Sequence, residues 1–257
     1  MIAIDKLCYA SRLRKKNGTV KFAYATVTLL ILVISRSVPG ALIVLLINGF
    51  LTVKKSGVSC RRYLHFMKVP LIFLILSTFA ILFHLNREPM DLFALPLGSR
   101  YLTGSRAGLQ YALQLILTAL GSVSCLYFLS MTTPMPDILN VLNRLHCPRL
   151  LGELMLLIYR YIFVLMDTAG KIRISQQSRL GNKDYKTALQ SFGALGSVLM
   201  IRAIGRSKAL YDAMEARCYD GTIQVLSEEN PPEARDVVLI VLFESLLLIL
   251  SFGRLFL

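Results

Sequence analysis

Residues 107–131, AGLQYALQLILTALGSVSCLYFLSM, run for 25 residues without a charge. At 1.5 Å per residue, a helix of that length reaches about 37 Å, enough to cross a hydrocarbon core of about 30 Å. Four more stretches read the same way: 22–35 (FAYATVTLLILVIS), 38–53 (VPGALIVLLINGFLTV), 69–84 (VPLIFLILSTFAILFH) and 236–256 (DVVLIVLFESLLLILSFGRLF). The first two are short. At 14 residues the first reaches only about 21 Å, so 22–53 is either a hairpin or one span broken at Arg36/Pro39.

Charge chooses the hairpin. Residues 1–21 carry six basic side chains (Lys6, Arg12, Arg14, Lys15, Lys16, Lys21), and 54–68 carry five (Lys54, Lys55, Arg61, Arg62, Lys68). Basic loops stay cytoplasmic, so an even number of crossings must separate the two clusters. The loop 85–106 is nearly balanced, with Arg87, Arg100 and Arg106 against Glu88 and Asp91, and suits the outside. Residues 132–235 are then cytoplasmic and the C-terminus is outside. The basic start, with no small-residue cleavage pattern after the first apolar run, is expected to be retained rather than removed as a signal peptide.

Composition agrees. Of 257 residues, 55% are hydrophobic and 17% charged, with 29 Lys+Arg against 15 Asp+Glu, a net charge of +14. The mean hydropathy is +0.59 and the pI near 9.8. A disordered chain needs low hydrophobicity, and a soluble nucleic-acid binder is basic but not greasy. Five cysteines without a C-x-x-C pair exclude a disulfide scaffold and a zinc ribbon. The fold class is an all-α polytopic membrane protein with about five transmembrane helices (five to seven) and a cytoplasmic coupling domain. The expected domains are a basic segment 1–21, a four-span bundle 22–131, the cytoplasmic or interfacial segment 132–235, and a last helix 236–257.

The segment 132–235 is too polar for lipid and too apolar for a linker. Thr132-Thr133-Pro134 signals a helix start, and His146-Cys147-Pro148 ends that short helix. Residues 149–180 read as one long helix. Leu151, Leu154, Met155, Ile158, Ile162, Leu165 and Met166 fall on one face, and Glu153, Arg160 and Asp167 repeat every seven residues on the other. Such a stripe belongs at an interface or against protein. A second long helix spans about 185–218. Its ridge of small residues includes Gly205, Ala209 and Ala213, spaced by four, which lets two helices approach closely and cross, or serves ordinary packing.

Each long helix finishes with an arginine just before a glycine: Ser178-Arg179-Leu180-Gly181, and Ala216-Arg217-Cys218 followed by Gly221. Singly, each is a helix C-terminus with a cation suited to its dipole. Together, 38 residues apart, they form a two-pronged contact surface. A guanidinium offers five donors in a rigid fork, suited to an acidic pocket on a partner.

On these residues the chain resembles the transmembrane T component of energy-coupling factor (ECF) transporters, in particular the cobalt/nickel-type permeases (the CbiQ/EcfT family). The resemblance covers nearly the whole chain. It is carried by Ile4-Asp5 with Tyr9-Ala10-Ser11-Arg12-Leu13-Arg14 and Lys21, by Thr132-Thr133-Pro134, by Leu145-His146-Cys147-Pro148, by Tyr159-Arg160-Tyr161-Ile162, and by the two arginine triplets. It implies that Ser178-Arg179-Leu180 and Ala216-Arg217-Cys218 are the paired tips that dock into grooves on two cassette ATPase subunits. The helices then pass the motion of those ATPases to a membrane-embedded substrate-binding component. It implies no cofactor on this chain, with ATP and magnesium held by the partner ATPases, and cobalt or nickel ions as cargo. The family often has Ala-Arg-Gly at its tips. Here the third positions are Leu180 and Cys218.

The sequence has no G-x-x-x-x-G-K-[ST], no H-E-x-x-H and no G-x-S-x-G, so no self-contained ATPase, zinc protease or hydrolase elbow is visible, and the chain is expected to be no enzyme. Its three histidines, His65, His84 and His146, are scattered, and only His84 lies near a transport path. Cys125 sits among apolar residues and suits packing. Glu244, near the middle of the last span, is either a neutral or hydrogen-bonded carboxylate, or a proton carrier that would make the chain a proton-coupled secondary transporter.

Overall fold

The computed structural model describes residues 3–82, 84–86, 93–97, 100–104, 106–221, 223 and 231–252. In chain order the helices are α1 (Ala3–Ala10), α2 (Gly18–Ser35), α3 (Val38–Phe50), α4 (Cys60–Leu82), α5 (Arg106–Thr132), α6 (Met135–Arg144), α7 (Arg149–Ser178), α8 (Tyr185–Glu215) and α9 (Ala234–Phe252). Three short strands lie between α4 and α5: β1 (His84–Asn86), β2 (Phe93–Leu97) and β3 (Arg100–Gly104). They form an antiparallel sheet in the order β1-β3-β2, with Leu102 opposite both Leu85 and Leu95. Periodicity gives no hint of this sheet; every other regular element among the described residues is helical.

Local chemistry sets the helix ends. The Asn17 side chain accepts from the N–H groups of Thr19 at 2.8 Å and Val20 at 3.3 Å, so α2 starts four residues before the apolar run. It stops at Arg36, whose φ is 47°, and Pro39 sits in the first turn of α3. Residues 22–53 are therefore two helices. A π-helical turn, Leu51–Lys55, extends α3. The basic residues Arg61, Arg62 and Lys68, expected in a loop, lie on α4.

Among the described residues, five helical stretches are long and apolar enough to cross a membrane: Gly18–Ser35, Val38–Lys55, Cys60–Phe79, Gly108–Thr132 and Tyr185–Glu215. The first four match expected spans. The fifth is α8, where the sequence reading has α9. Yet α9 packs on α2 and α3, whereas no residue of α8 is buried. Residues 253–256 of the expected last span lie outside the described residues. The chain is an all-α polytopic membrane protein.

It divides into two units, residues 1–138 with 228–257, and residues 139–227. The sequence reading puts the corresponding segment at 132–235. In the first unit α5, uncharged beyond its first residue Arg106, packs against α2, α3 and α4. Ile31, Leu32, Ala41, Val44, Cys125 and Leu247 form one buried cluster; Val58, Tyr63, Met67, Leu120 and Met131 form another. A Cβ at Gly121 would lie 3.1 Å from Leu32 Cδ1 and 3.2 Å from the Ala41 carbonyl oxygen, so glycine lets α5 approach α3. Asn48, fully buried, joins three helices: it accepts from the Tyr24 hydroxyl at 2.8 Å and donates to Ser124 Oγ at 3.1 Å and Cys125 Sγ at 3.2 Å. Leu30, Val33, Ile34, Leu46, Ile72, Phe73 and Leu76 are exposed on the outside, as lipid-facing residues are.

One end of this unit is tied by its basic residues. Lys21 Nζ donates to the carbonyls of Leu13 at 3.2 Å and Thr132 at 2.9 Å. Lys16 bridges Asp236 at 2.6 Å and Glu233 at 3.0 Å. Ser11 and Ser56 are joined by their hydroxyls at 2.9 Å, and the Arg12 N–H donates to the Ser56 carbonyl at 3.1 Å. The starts of α2 and α9, the α3–α4 loop and the end of α5 thus share one end of the bundle. At the opposite end Gln114 Nε2 donates to the Arg36 carbonyl at 2.6 Å. This agrees with the parity of the charge argument.

Candidate coupling surface

The second unit is built on α7 and α8. A Cβ at Gly152 would fall 2.6 Å from Asn143 Oδ1, so glycine permits the turn from α6 into α7. Thirty residues carry α7 about 45 Å. Asp167 pairs with Lys171 one turn later at 2.7 Å, and the hydrogen bond from that ammonium holds its carboxyl below the usual range.

The two arginine triplets have the same backbone. At the first, the N–H of Arg179 donates to the Gln176 carbonyl, that of Leu180 to Gln177 and that of Gly181 to Gln176, at 3.1, 3.1 and 2.8 Å. At the second, the N–H of Arg217 donates to Met214, that of Cys218 to Glu215 and that of Tyr219 to Met214, at 3.1, 2.9 and 3.0 Å. Both patterns close a helix C-terminus with paired 6→1 and 5→2 bonds, the Schellman motif. The motif needs a left-handed residue, and it falls on Leu180 and Cys218, each with φ 58°. Gly181, read from sequence as the stop signal, lies one residue beyond, and Gly221 three beyond Cys218. Ser178, Arg179, Leu180, Ala216, Arg217 and Cys218 are all exposed.

The ends of α7 and α8 are pinned together. At one end Gln176 Nε2 donates to the Ser191 carbonyl and Ser191 Oγ to the Gly181 carbonyl, both at 2.8 Å. At the other, Glu153 accepts from the Tyr219 hydroxyl at 2.6 Å and the Ile223 N–H at 3.2 Å. The helices therefore run antiparallel, with Arg179 and Arg217 at opposite ends of the pair. Sequence periodicity assigns Glu153 only to a polar stripe; no local signal links it to Tyr219, 66 residues away.

The small-residue ridge has no close neighbour at Gly205 among the described residues. Gly205, Ala209 and Ala213 are exposed, and nothing lies within 4 Å of a Cβ built at Gly205. Among the described residues no three His, Cys, Asp or Glu converge as a metal site. The side chain of His84 lies outside the described residues. Cys125 is fully buried beside Asn48, as packing requires. Glu244 is half-buried, and its Oε1 has no hydrogen-bond partner among the described residues.

The family model for the cobalt transport protein CbiQ matches residues 10–227. An uncharacterized protein of Methanocaldococcus jannaschii is 35% identical over 97% of this chain and 92% of its own length. The cobalt transport protein CbiQ of Salmonella typhimurium is 29% identical over 86% of this chain and 98% of its own length. A fused cobalt transport protein CbiMQ of Methanocorpusculum labreanum is 29% identical over 95% of this chain, which spans 41% of that longer protein. A family match across most of the chain, on a polytopic helical membrane protein, makes this a transport component: the chain belongs to the CbiQ cobalt transport protein family.

Proposed function

We propose that the chain is the energy-coupling transmembrane component of an ATP-driven ECF-type uptake transporter for cobalt or nickel ions. It passes motion from two cassette ATPase subunits to a membrane-embedded substrate-binding component. The observation that carries this reading is the pair of exposed arginines, Arg179 and Arg217, each one residue before a left-handed helix stop, at opposite ends of a long antiparallel pair; the end of α6 at His146 closes in the same way but has Leu145 in the arginine's place. One such end suits each ATPase. The cation at each helix C-terminus needs an acidic pocket as its complement. The name of the fused relative joins a CbiQ part to a further cobalt-transport part, which fits a partner for this chain. The chain itself needs no cofactor in this scheme, since ATP and magnesium belong to the ATPases. The basic end of the first unit, with Lys16, Lys21 and Lys55, faces the cytoplasm in this reading, and α9 is its last span.

The test is a detergent pull-down with cassette ATPases from the same organism. Wild type should retain them, and Arg179→Ala/Arg217→Ala should insert normally yet lose them. Equal retention by both would remove the arginines from the contact; no retention by wild type would remove the coupling reading.

A second reading is a proton-coupled secondary transporter, favoured by Glu244 Oε1, which has no hydrogen-bond partner among the described residues. It requires transport that is independent of ATP and lost in Glu244→Gln. ATP-dependent transport that survives this substitution would dispose of it.

A further inference from the structure

The two ends of the α7–α8 pair share a backbone pattern but not their surroundings. Around the first tip stand Arg173, Arg179, Lys183 and Lys186, all exposed, with Asp184 as the one carboxylate between positions 172 and 186. None of these four cations makes an ion pair among the described residues. Lys171 is left out of the count, because Asp167 already holds it. Ser191 Oγ donates to the Gly181 carbonyl, which keeps the start of α8, and Lys186 with it, beside the tip. Two large side chains are exposed at the same end, Leu180 at 70% and Tyr185 at 87%.

The second end is balanced. Arg149, Lys208 and Arg217 share it with Glu153, Asp212, Glu215 and Asp220. The Tyr219 hydroxyl holds Glu153 there. Arg144, next to the Asn143 that meets Gly152, brings the count to four of each sign. A partner groove lined with carboxylates is drawn to the first end and meets carboxylates at the second. Like charge facing like charge across an interface costs affinity. Arginine and tyrosine are also the residues that carry most binding energy at protein contacts, and the first end adds Leu180 where the second has Cys218. We propose that the two tips are unequal docking surfaces. The Arg179 end is the principal anchor for an acidic groove on a cassette ATPase, and its contact is the more salt-dependent; the Arg217 end is the weaker contact. The proposal rests on the coupling reading above and adds which end carries the affinity.

The test titrates the detergent-solubilised chain with purified cassette ATPases from the same organism. It is run at about 0.1 M and about 1 M salt, between which the screening length falls from about 10 Å to about 3 Å. Arg179→Ala should weaken binding more than Arg217→Ala. Lys183→Ala/Lys186→Ala keeps both arginines and should weaken binding at the lower salt by up to about fivefold per cation, the scale of exposed charge pairs. It should also flatten the salt dependence. Lys183→Arg/Lys186→Arg keeps the charge and should bind as wild type does, which separates charge from a folding defect. Asp212→Asn/Glu215→Gln relieves the repulsion at the second end and should tighten binding. Equal losses in the two arginine variants overturn the inequality and leave the coupling reading in place. So does wild-type affinity in Lys183→Ala/Lys186→Ala, which would leave these cations to another occupant such as the lipid surface. No binding by the wild type overturns the coupling reading, and the proposal with it.

Discussion

Leu180 and Cys218 hold the same place in two copies of one structure. Each has φ 58°, and each donates its N–H to the carbonyl three residues back. A left-handed residue with a Cβ costs about 1–2 kcal/mol. Glycine removes that strain but loses about 0.5–1 kcal/mol to its freedom in the unfolded chain. Leu180→Gly and Cys218→Gly should therefore each stabilise the protein by about 0.5–1 kcal/mol, raising a circular-dichroism melting midpoint in detergent. A lower midpoint for either variant would mean that Leu180 or Cys218 makes a packing contribution larger than its strain.

The Glu153–Tyr219 contact should respond to pH. Accepting that hydrogen bond, the carboxylate raises the Tyr219 phenol above its ordinary value of 10.0. A raised acid pKa favours the protonated donor, so the contact is whole below the ordinary tyrosine range and is lost as pH rises through the shifted value. Digestion around 217–223 should be slow near pH 8 and should quicken above pH 10. In Glu153→Gln the segment should already be quick to cleave at pH 8, and Tyr219 should titrate nearer its ordinary value. Unchanged cleavage in Glu153→Gln would show that other contacts hold the segment.

Cysteine reactivity should divide by burial. Cys8 is buried, and desolvation pushes its thiol up to about 12, so almost no thiolate is present at pH 8. Cys60 and Cys218 are exposed. Maleimide at pH 8 should label Cys60 and Cys218 quickly and Cys8 only after denaturation. Rapid labelling of Cys8 would mean that α1 leaves the bundle on the timescale of the reaction.

Much of this arrangement is written in local patterns. The uncharged run 107–131 becomes α5, and Pro39 marks the start of α3. Arg179 and Arg217 stand out because two helix ends repeat. Other features depend on long-range geometry. The start of α4 at Cys60 is hidden because Arg61, Arg62 and Lys68 make the segment look like a loop, although cations on a helix end at the membrane edge are cheap. Glycine misleads at the tips: Gly181 suggests the stop, yet the left-handed conformation is borne by Leu180. The Glu153–Tyr219 bond and the Lys21–Thr132 bond join residues that share no periodic pattern.

Two glycines separate close packing from an open surface. A methyl group at Gly121 would press on the Ala41 backbone at 3.2 Å, which cannot yield as a flexible side chain can. Gly121→Ala should cost about 1–3 kcal/mol by overpacking. Gly205 is helical with nothing near its Cβ, so Gly205→Ala should stabilise the isolated chain by about 1 kcal/mol through helix propensity. Any loss of assembly in Gly205→Ala despite a higher melting midpoint would locate a partner on the ridge of Gly205, Ala209 and Ala213. Unchanged assembly would leave that ridge to solvent or lipid.

Asn48 should matter mainly through Tyr24. Ser124 Oγ also donates to the Gly121 carbonyl at 2.6 Å, so it keeps a partner when Asn48 is replaced. The only hydrogen bond the Tyr24 hydroxyl makes among the described residues is to Asn48. Asn48→Leu, of similar size, orphans that hydroxyl inside the bundle, a penalty of about 1–3 kcal/mol for a buried donor. Tyr24→Phe removes the orphan. The double variant Asn48→Leu/Tyr24→Phe should be less destabilised than the sum of the single ones. The coupling should be about 0.6–1.7 kcal/mol, the scale of interhelical side-chain bonds in membranes. Full additivity in a double-mutant cycle would mean that the Tyr24 hydroxyl finds another acceptor once Asn48 is gone, and the three-helix junction would then rest on packing alone.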